Sequence, residues 1–382
     1  MPRTIYFDYN ATTPLDPAVR EAMLPFLGPV WGNPSSVHHV GQSARAALDD
    51  ARERAAGLLG AKPAEVIFTS GGTESNNLAV FGAARRLKPR GTHLITSSVE
   101  HHAVRQCFDY LEQREGFAVT RLAVDDGGRV APGDLRRAFR PDTVLVSIMA
   151  ANNEIGTLQP VAELGALCRE RGVVFHTDAV QWLGKEPFPG LSQFNADLVS
   201  VCAHKFHGPK GAGLLYARSP LHPLPLLFGG AHENERRAGT ENLPAIIGLV
   251  SAMQKFLQPP VFDRARLEPL TAKLFATLDI IDGAETVTPR SGRLANTVAF
   301  VVRGADSIAL LAALDMEGIC ASSGSACSAG SLEPSHVIVA LGRPAQANSL
   351  VRFSLGRDST AAEVDFACAC LPEVVRRAQH GK

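Results

Sequence analysis

The chain has 382 residues, with 38 Lys and Arg against 38 Asp and Glu and 45% hydrophobic residues. Zero formal net charge excludes a general electrostatic footprint for nucleic acid, and the hydrophobic content excludes a disordered or fibrous chain. At about 150 residues per domain, the length predicts two or three domains.

No apolar run approaches the roughly 18 residues of a membrane span. The opening Met1-Pro2-Arg3-Thr4-Ile5-Tyr6-Phe7-Asp8 lacks the charged and apolar regions of a signal peptide, so a soluble, cytoplasmic protein is expected. The seven cysteines are an odd number and contain no Cys-x-x-Cys pair, a pattern that fits neither a disulfide framework nor a zinc site. Free thiols are expected. Only eight of the basic residues are lysines, which leaves few candidates for an amine nucleophile.

In chain order, apolar residues at Ala44, Ala47, Leu48, Ala51, Ala55 and Leu58 predict a helix over 43–59 that stops at Gly60. Short apolar runs predict strands over 65–69, 93–96, 143–149, 173–176, 197–201 and 213–216, with a further helix over 78–87 after the first of them. Strands alternating with helices argue for an α/β fold with a largely parallel sheet. An apolar helix over 243–256 is followed by a Gln-Pro-Pro-Val break at 258–261, read as the start of a second, smaller domain. Residues 322–331 are rich in Ser, Gly and Ala and read as a mobile loop. Thr360 followed by Glu363 is a capping-box signature for a last helix with Val364, Cys368, Leu371 and Val375 on one face, so Cys368 and Cys370 read as packing residues.

In open α/β sheets ligands bind beyond the carboxyl ends of the strands, and the polar residues there carry the chemistry. Ser70-Gly71-Gly72-Thr73-Glu74-Ser75-Asn76 reads either as a phosphate cradle at a helix N-terminus or as a capped glycine turn. It is neither a Walker loop nor a dinucleotide fingerprint. Asp178, with Gln181 three residues on, is a strand-end carboxylate that could equally cap the next helix. Lys205 lies in Cys202-Ala203-His204-Lys205-Phe206-His207-Gly208, where an amine could condense with an aldehyde cofactor or stand in a solvated loop. Of His101 and His102, one is expected to face a site. A metal centre would need His101, His204, His207 and Asp178 to converge, and no ligand pattern supports it.

Taken jointly, these segments resemble the cysteine desulfurases of the IscS/NifS-like branch, fold-type I pyridoxal 5′-phosphate enzymes of the class-V aminotransferase family. The resemblance runs nearly end to end, through Tyr9-Asn10-Ala11-Thr12-Thr13-Pro14, Thr69-Ser70-Gly71-Gly72-Thr73-Glu74-Ser75-Asn76-Asn77, Glu100-His101-His102-Ala103-Val104, Asn152-Asn153-Glu154-Ile155-Gly156, His176-Thr177-Asp178-Ala179-Val180-Gln181, Ala203-His204-Lys205, Arg237-Ala238-Gly239-Thr240-Glu241-Asn242, Ser322-Ser323-Gly324-Ser325-Ala326-Cys327 and Arg352-Phe353-Ser354-Leu355-Gly356-Arg357. It implies a large pyridoxal-phosphate-binding domain over 15–258 with a mostly parallel seven-stranded sheet flanked by helices. A smaller α/β domain of 1–14 and 259–382 would carry the catalytic cysteine loop.

The resemblance further implies that Lys205 is the Schiff-base lysine, that Asp178 pairs with the protonated ring nitrogen, and that His101 stacks on the ring. Gln181 and Asn153 would orient the ring oxygen and the substrate side. Gly72, Thr73 and His204 would hold the phosphate, with Thr240 reaching it from a second subunit of a homodimer. Arg352 would clamp the substrate carboxylate, zero net charge leaving room for a locally basic mouth around it, and Cys327 would take sulfur from L-cysteine as a persulfide, leaving L-alanine. The sulfur would pass to an acceptor such as an iron-sulfur scaffold, with Cys327 transiently touching a cluster. Cys202 stands where related sequences commonly have a phosphate-bonding serine, and a thiol is the weaker donor. Competing readings are a selenocysteine lyase or another enzyme of the same fold, neither of which would need Cys327, and a non-catalytic sulfur-trafficking protein.

Overall fold

The structure is a computed structural model that describes residues 4–324 and 334–380. Its strands are β1 (Ile5–Tyr6), β2 (Val66–Thr69), β3 (His93–Ser97), β4 (Ala118–Leu122), β5 (Thr143–Ser147), β6 (Val174–Asp178), β7 (Leu198–Cys202), β8 (Gly213–Ala217), β9 (Ala284–Thr286), β10 (Thr297–Val302), β11 (Ile319–Cys320) and β12 (Val351–Ser354). Seven of them form one sheet in the order β2-β8-β7-β6-β5-β3-β4. Its pairings are parallel except for β8, which runs antiparallel to both β2 and β7.

The interior strands of this sheet are short continuous apolar runs because helices cover both faces. Along β2, Val66 and Phe68 pack with the helices His39–Leu59 and Leu243–Phe256, while Ile67 packs with Gly72–Leu87 and His102–Glu115 on the opposite face. The alternation is the two-residue period of a strand. A three-stranded antiparallel sheet, β12-β10-β9, backs a second core with the helices Arg264–Leu278, Ser307–Met316 and Ala361–His380. Ile5, Phe7 and Tyr9 from the start of the chain belong to this second core, and β1 pairs in parallel with β11. The amino-terminal segment therefore passes from the second core to the carboxyl edge of the large sheet.

Several elements differ from the sequence reading. The helix expected over 43–59 begins at His39, because the His38 ring accepts from the Gly41 amide and caps it, a role outside the usual Ser, Thr, Asp and Asn signals. The helix expected over 78–87 begins at Gly72, so the glycine turn is its first turn. The strand expected to stop at His176 continues through Asp178, placing the carboxylate on the strand itself. That expected over 143–149 ends at Ser147. Strand β4 had no sequence signal, since it is a half-exposed edge strand, Ala-Val-Thr-Arg-Leu, rather than a buried apolar run. Most of the Ser/Gly/Ala loop, Cys327 included, lies outside the described residues.

The last helix carries the predicted capping box: Thr360 N donates to Glu363 Oε2 at 2.7 Å, and Glu363 N to Thr360 Oγ1 at 3.3 Å. Val364, Leu371 and Val375 are buried, while Cys368 and Cys370 are half-buried against the same core. Thr360→Ala is expected to cost about 1 kcal/mol of unfolding free energy. Urea denaturation checks this, and an unchanged midpoint would show that the cap is idle.

Candidate active site

At the carboxyl ends of β2, β6 and β7 lies a partly enclosed cleft of about 150 Å³. Its walls include Gly72, Thr73, His101, Asn153, Asp178, Gln181, Cys202, His204, Lys205 and Arg352, so ten residues singled out from the sequence meet in one place. Thr240 is exposed and does not line the cleft. The sequence reading missed Asn10, Asn76 and Met149, which also line it. Asn10 and Asn76 stood within quoted motifs, but their polar side chains carried no signal of direction.

Lys205 follows β7 in a single 3-10 turn, Ala203–Lys205. Its Nζ donates to the carbonyls of Asn10 at 2.9 Å and Ala11 at 2.7 Å, which aims it across the cleft towards the amino-terminal segment. Asp178 ends β6 and is 5% exposed. Its Oδ2 accepts from Asn76 Nδ2 at 2.7 Å and its Oδ1 from the Val180 amide at 3.0 Å. Burial pushes the Asp178 carboxyl above its usual range, against the opposing pull of these hydrogen bonds and of Lys205. A cation brought into the cleft would restore the ionised form.

The helix Gly72–Leu87 points its amino end into the same space, and no side chain caps it. Its first-turn amides are therefore available to an anion. A Cβ at Gly72 would stand 2.9 Å from Val180 Cγ2 and 3.4 Å from Cys202 Cβ, so a side chain here would have to push Val180 aside. Glu74, in that turn, is answered by Arg237 at 2.8 Å.

His101 caps the helix His102–Glu115, accepting from the Ala103 amide at 3.1 Å through Nδ1. Burial, then Lys205, lowers its pKa to about 4, leaving a neutral ring with its other nitrogen protonated. The His204 pKa is likewise lowered, to about 3, chiefly by burial, and its Nδ1 lies 3.1 Å from Thr12 Oγ1. His207 turns away from His204, with its ring stacked on Phe262 and its Nδ1 against the Pro14 carbonyl. The described residues contain no group of three or more His, Cys, Asp or Glu placed to hold a metal ion. Cys202 is buried with its thiol raised in pKa by desolvation, and its Sγ lies 3.9 Å from the Ala212 carbonyl.

Arg352 is not at a basic mouth. It is 1% exposed, in the floor of the cleft, and pairs with Asp8 Oδ1 at 2.7 Å. Its Nη1 donates to the Asn153 carbonyl at 2.8 Å and the Gly324 carbonyl at 2.9 Å, while Nε has no partner among the described residues. A bound carboxylate would find that Nε unanswered.

An amine, a buried carboxylate wanting a cation, an uncapped helix end and a neutral aromatic ring suit the aldehyde, ring nitrogen, phosphate and ring face of pyridoxal 5′-phosphate in turn. The donor set fits that cofactor.

Comparison with known proteins agrees with this geometry. The family model described as "Aminotransferase class-V" matches residues 5–366. The chain is 45% identical over 379 residues to "Cysteine desulfurase IscS" of Dictyoglomus turgidum, covering 99% of this chain and 96% of the relative. Among solved structures it is similar to a "NIFS-LIKE PROTEIN", with a TM-score of 0.90 and 37% identity over 98% of this chain and 100% of the other. It is also similar to "SspA in complex with cysteine", with a TM-score of 0.81 and 35% identity over 94% and 100%.

Four histidines in and around the site are held neutral by burial: those of His101 and His207 at about 4, those of His176 and His204 at about 3. A folded pKa below the unfolded value gives stability that is present above pH 6.5 and lost as the pH falls towards 4. From fully buried His176, bonded to Ser147 and Ser200, this loss is about 2 kcal/mol at pH 5. The buried Glu100 carboxyl, raised to about 8 by burial, gains stability over the same fall in pH, so the test is made at the ring: NMR titration is expected to find His176 neutral at pH 5, and protonation near pH 6.5 would contradict the neutral-histidine assignment.

Proposed function

Because the chain belongs to the class-V aminotransferase family, we propose that it is a pyridoxal-phosphate-dependent cysteine desulfurase in which Lys205 and Cys327 are the two reacting side chains. The observation that carries the reading is the convergence of Lys205, Asp178 and the uncapped end of the helix Gly72–Leu87 in one cleft floored by Arg352. The reaction transfers the sulfur atom of L-cysteine to the Cys327 thiol: the substrate carbon–sulfur bond breaks, a sulfur–sulfur bond forms, and L-alanine leaves. Atoms and electrons balance between the two thiols without an external oxidant.

When bound, pyridoxal phosphate supplies an aldehyde carbon that condenses with amines and an aromatic ring that draws electrons from the attached substrate. Lys205 would hold that carbon, and its Nζ is the base that would move the substrate Cα proton. Asp178 would keep the ring nitrogen protonated, with its carboxylate held in aim by Asn76 and Val180. Neutral His101 would cover the ring face, and Gly72, Thr73 and His204 would take the phosphate. Cys202, buried beside Gly72, contributes a weaker donor than a hydroxyl there. Asn153 and Arg352 receive the substrate carboxylate, for which a planar guanidinium is the suited partner.

Cys327 attacks the substrate sulfur as a thiolate. An ordinary thiol is only about 3% ionised at pH 7, so a proton must leave Cys327 as substrate binds. The working unit is a homodimer in which Thr240, exposed in the single chain, reaches the phosphate of the partner copy. Exposed Trp31, Val37 and Phe228 give that contact apolar surface. The two cores support a division into a cofactor-binding domain over 15–258 and a smaller domain of 1–14 and 259–382. No helix among the described residues is long and apolar enough to cross a membrane. We place the enzyme in the cytoplasm, where thiols stay reduced, with a sulfur-acceptor protein such as an iron-sulfur scaffold as the recipient of the persulfide.

Alanine and sulfide release from L-cysteine tests the assignment. Cys327→Ala is expected to abolish turnover while retaining the cofactor, and undiminished turnover would overturn the persulfide step. Lys205→Ala should lose both turnover and the cofactor mass that borohydride fixes to the wild-type chain. Asp178→Asn is expected to lower turnover by about a hundredfold or more while cofactor retention falls far less. Equal losses in the two would show that the carboxylate only binds.

A further inference from the structure

A second lysine lies behind the first. Lys185 is 3% exposed, a rare state for a lysine, and it is bonded to two side-chain amides instead of a carboxylate. Its Nζ donates to Asn10 Oδ1 at 2.6 Å and to Gln181 Oε1, and stands 5.1 Å from the centre of the Phe262 ring. Burial, with Lys205 and Arg352 close by, lowers its pKa well below the usual amine range, against the opposing charges of Asp8 and Glu186.

A buried amide is useful only if its two ends are told apart, since nitrogen donates and oxygen accepts. Here the network tells them apart. Asn10 Nδ2 donates to the Asn153 carbonyl at 3.3 Å and to Thr297 Oγ1 at 2.9 Å, so Asn10 Oδ1 must face Lys185 and Asn296 Nδ2. Gln181 Nε2 donates to the Asn10 carbonyl at 2.9 Å, the same oxygen that accepts from Lys205. Gln181 Oε1 is occupied by a Lys185 N–H, and Gln181 Nε2 cannot take that place without giving up the Asn10 carbonyl. The remaining N–H of Gln181 is what this side chain has to offer to the cleft it lines.

We propose that Lys185 is a positioning residue: its amine fixes the Gln181 amide with oxygen inward and nitrogen towards the cleft, so that Gln181 meets the ring oxygen of pyridoxal phosphate as a donor. The inference rests on the cofactor reading above. Without Lys185 the buried Gln181 oxygen loses its donor, and turning the amide would set two oxygens against each other.

The test uses the holoenzyme, with Lys185→Met to remove the donor at similar length and Gln181→Ala to remove the amide. Absorption of the bound cofactor and its affinity for the apoprotein are measured alongside the thermal midpoint. Lys185→Met is expected to move the visible band and weaken the cofactor about tenfold, as Gln181→Ala does, and the double variant should be no worse than either alone. A wild-type band and affinity in Lys185→Met, or losses that simply add in the double variant, would reduce Lys185 to a packing residue. Should Lys185→Met fail to fold, Lys185→Leu, which likewise has no N–H, carries the test: a band and affinity shifted towards those of Gln181→Ala support the proposal, and wild-type values overturn it. Wild-type protein that took up no pyridoxal phosphate would instead count against the cofactor reading itself.

Discussion

Burying the carboxylate of Asp178 at the end of a central strand is the constraint around which this molecule is arranged. Leaving a buried anion without a partner is costly, and two hydrogen bonds from Asn76 and Val180 lessen that cost without removing it. The helix Gly72–Leu87 must approach closely enough to bring Asn76 to the strand, and at that closeness a Cβ at Gly72 would press on Val180. The residual charge demand is the site's chemical content: a cation entering the cleft would find a carboxylate that its charge ionises.

A second constraint is imposed by the amino-terminal segment. Asn10 joins the two cores: its amide group bonds Lys185, Thr297 and Asn296, while its carbonyl receives Lys205 and Gln181. One residue thus links the elements that carry the amines to the sheet that carries Arg352. Such a hub makes the geometry of the reacting groups depend on the relative placement of two separately packed cores, so distant packing changes in either should be felt at the lysine.

The fold was legible because buried strands under helices on both faces leave continuous apolar runs, and β2, β3, β5, β6, β7 and β8 were each visible in that way. The half-exposed β4 and the histidine-capped start of the helix His39–Leu59 were not, since neither carries the composition its role usually has. Ten cleft residues were marked in advance by strand-end position and by family motif. Asn10 and Lys185 passed unmarked, because an asparagine near the start and one lysine of eight look like surface residues until their neighbours are known.

Strand pattern and motif order were sufficient to identify an α/β fold and, through the resemblance of the motifs, the family to which the chain belongs. The fold follows from local chemistry, strand periodicity above all; the glycine turn and the lysine after a strand stayed ambiguous until the motifs were taken together as a resemblance. Direction and state were not contained in the chain alone. That Arg352 is buried against Asp8 instead of opening a basic mouth, that His101 is neutral, and that Lys185 faces two amides depend on which distant segments meet. Burial and partner geometry, which set charge state and hydrogen-bond direction, exist only once the two cores have packed.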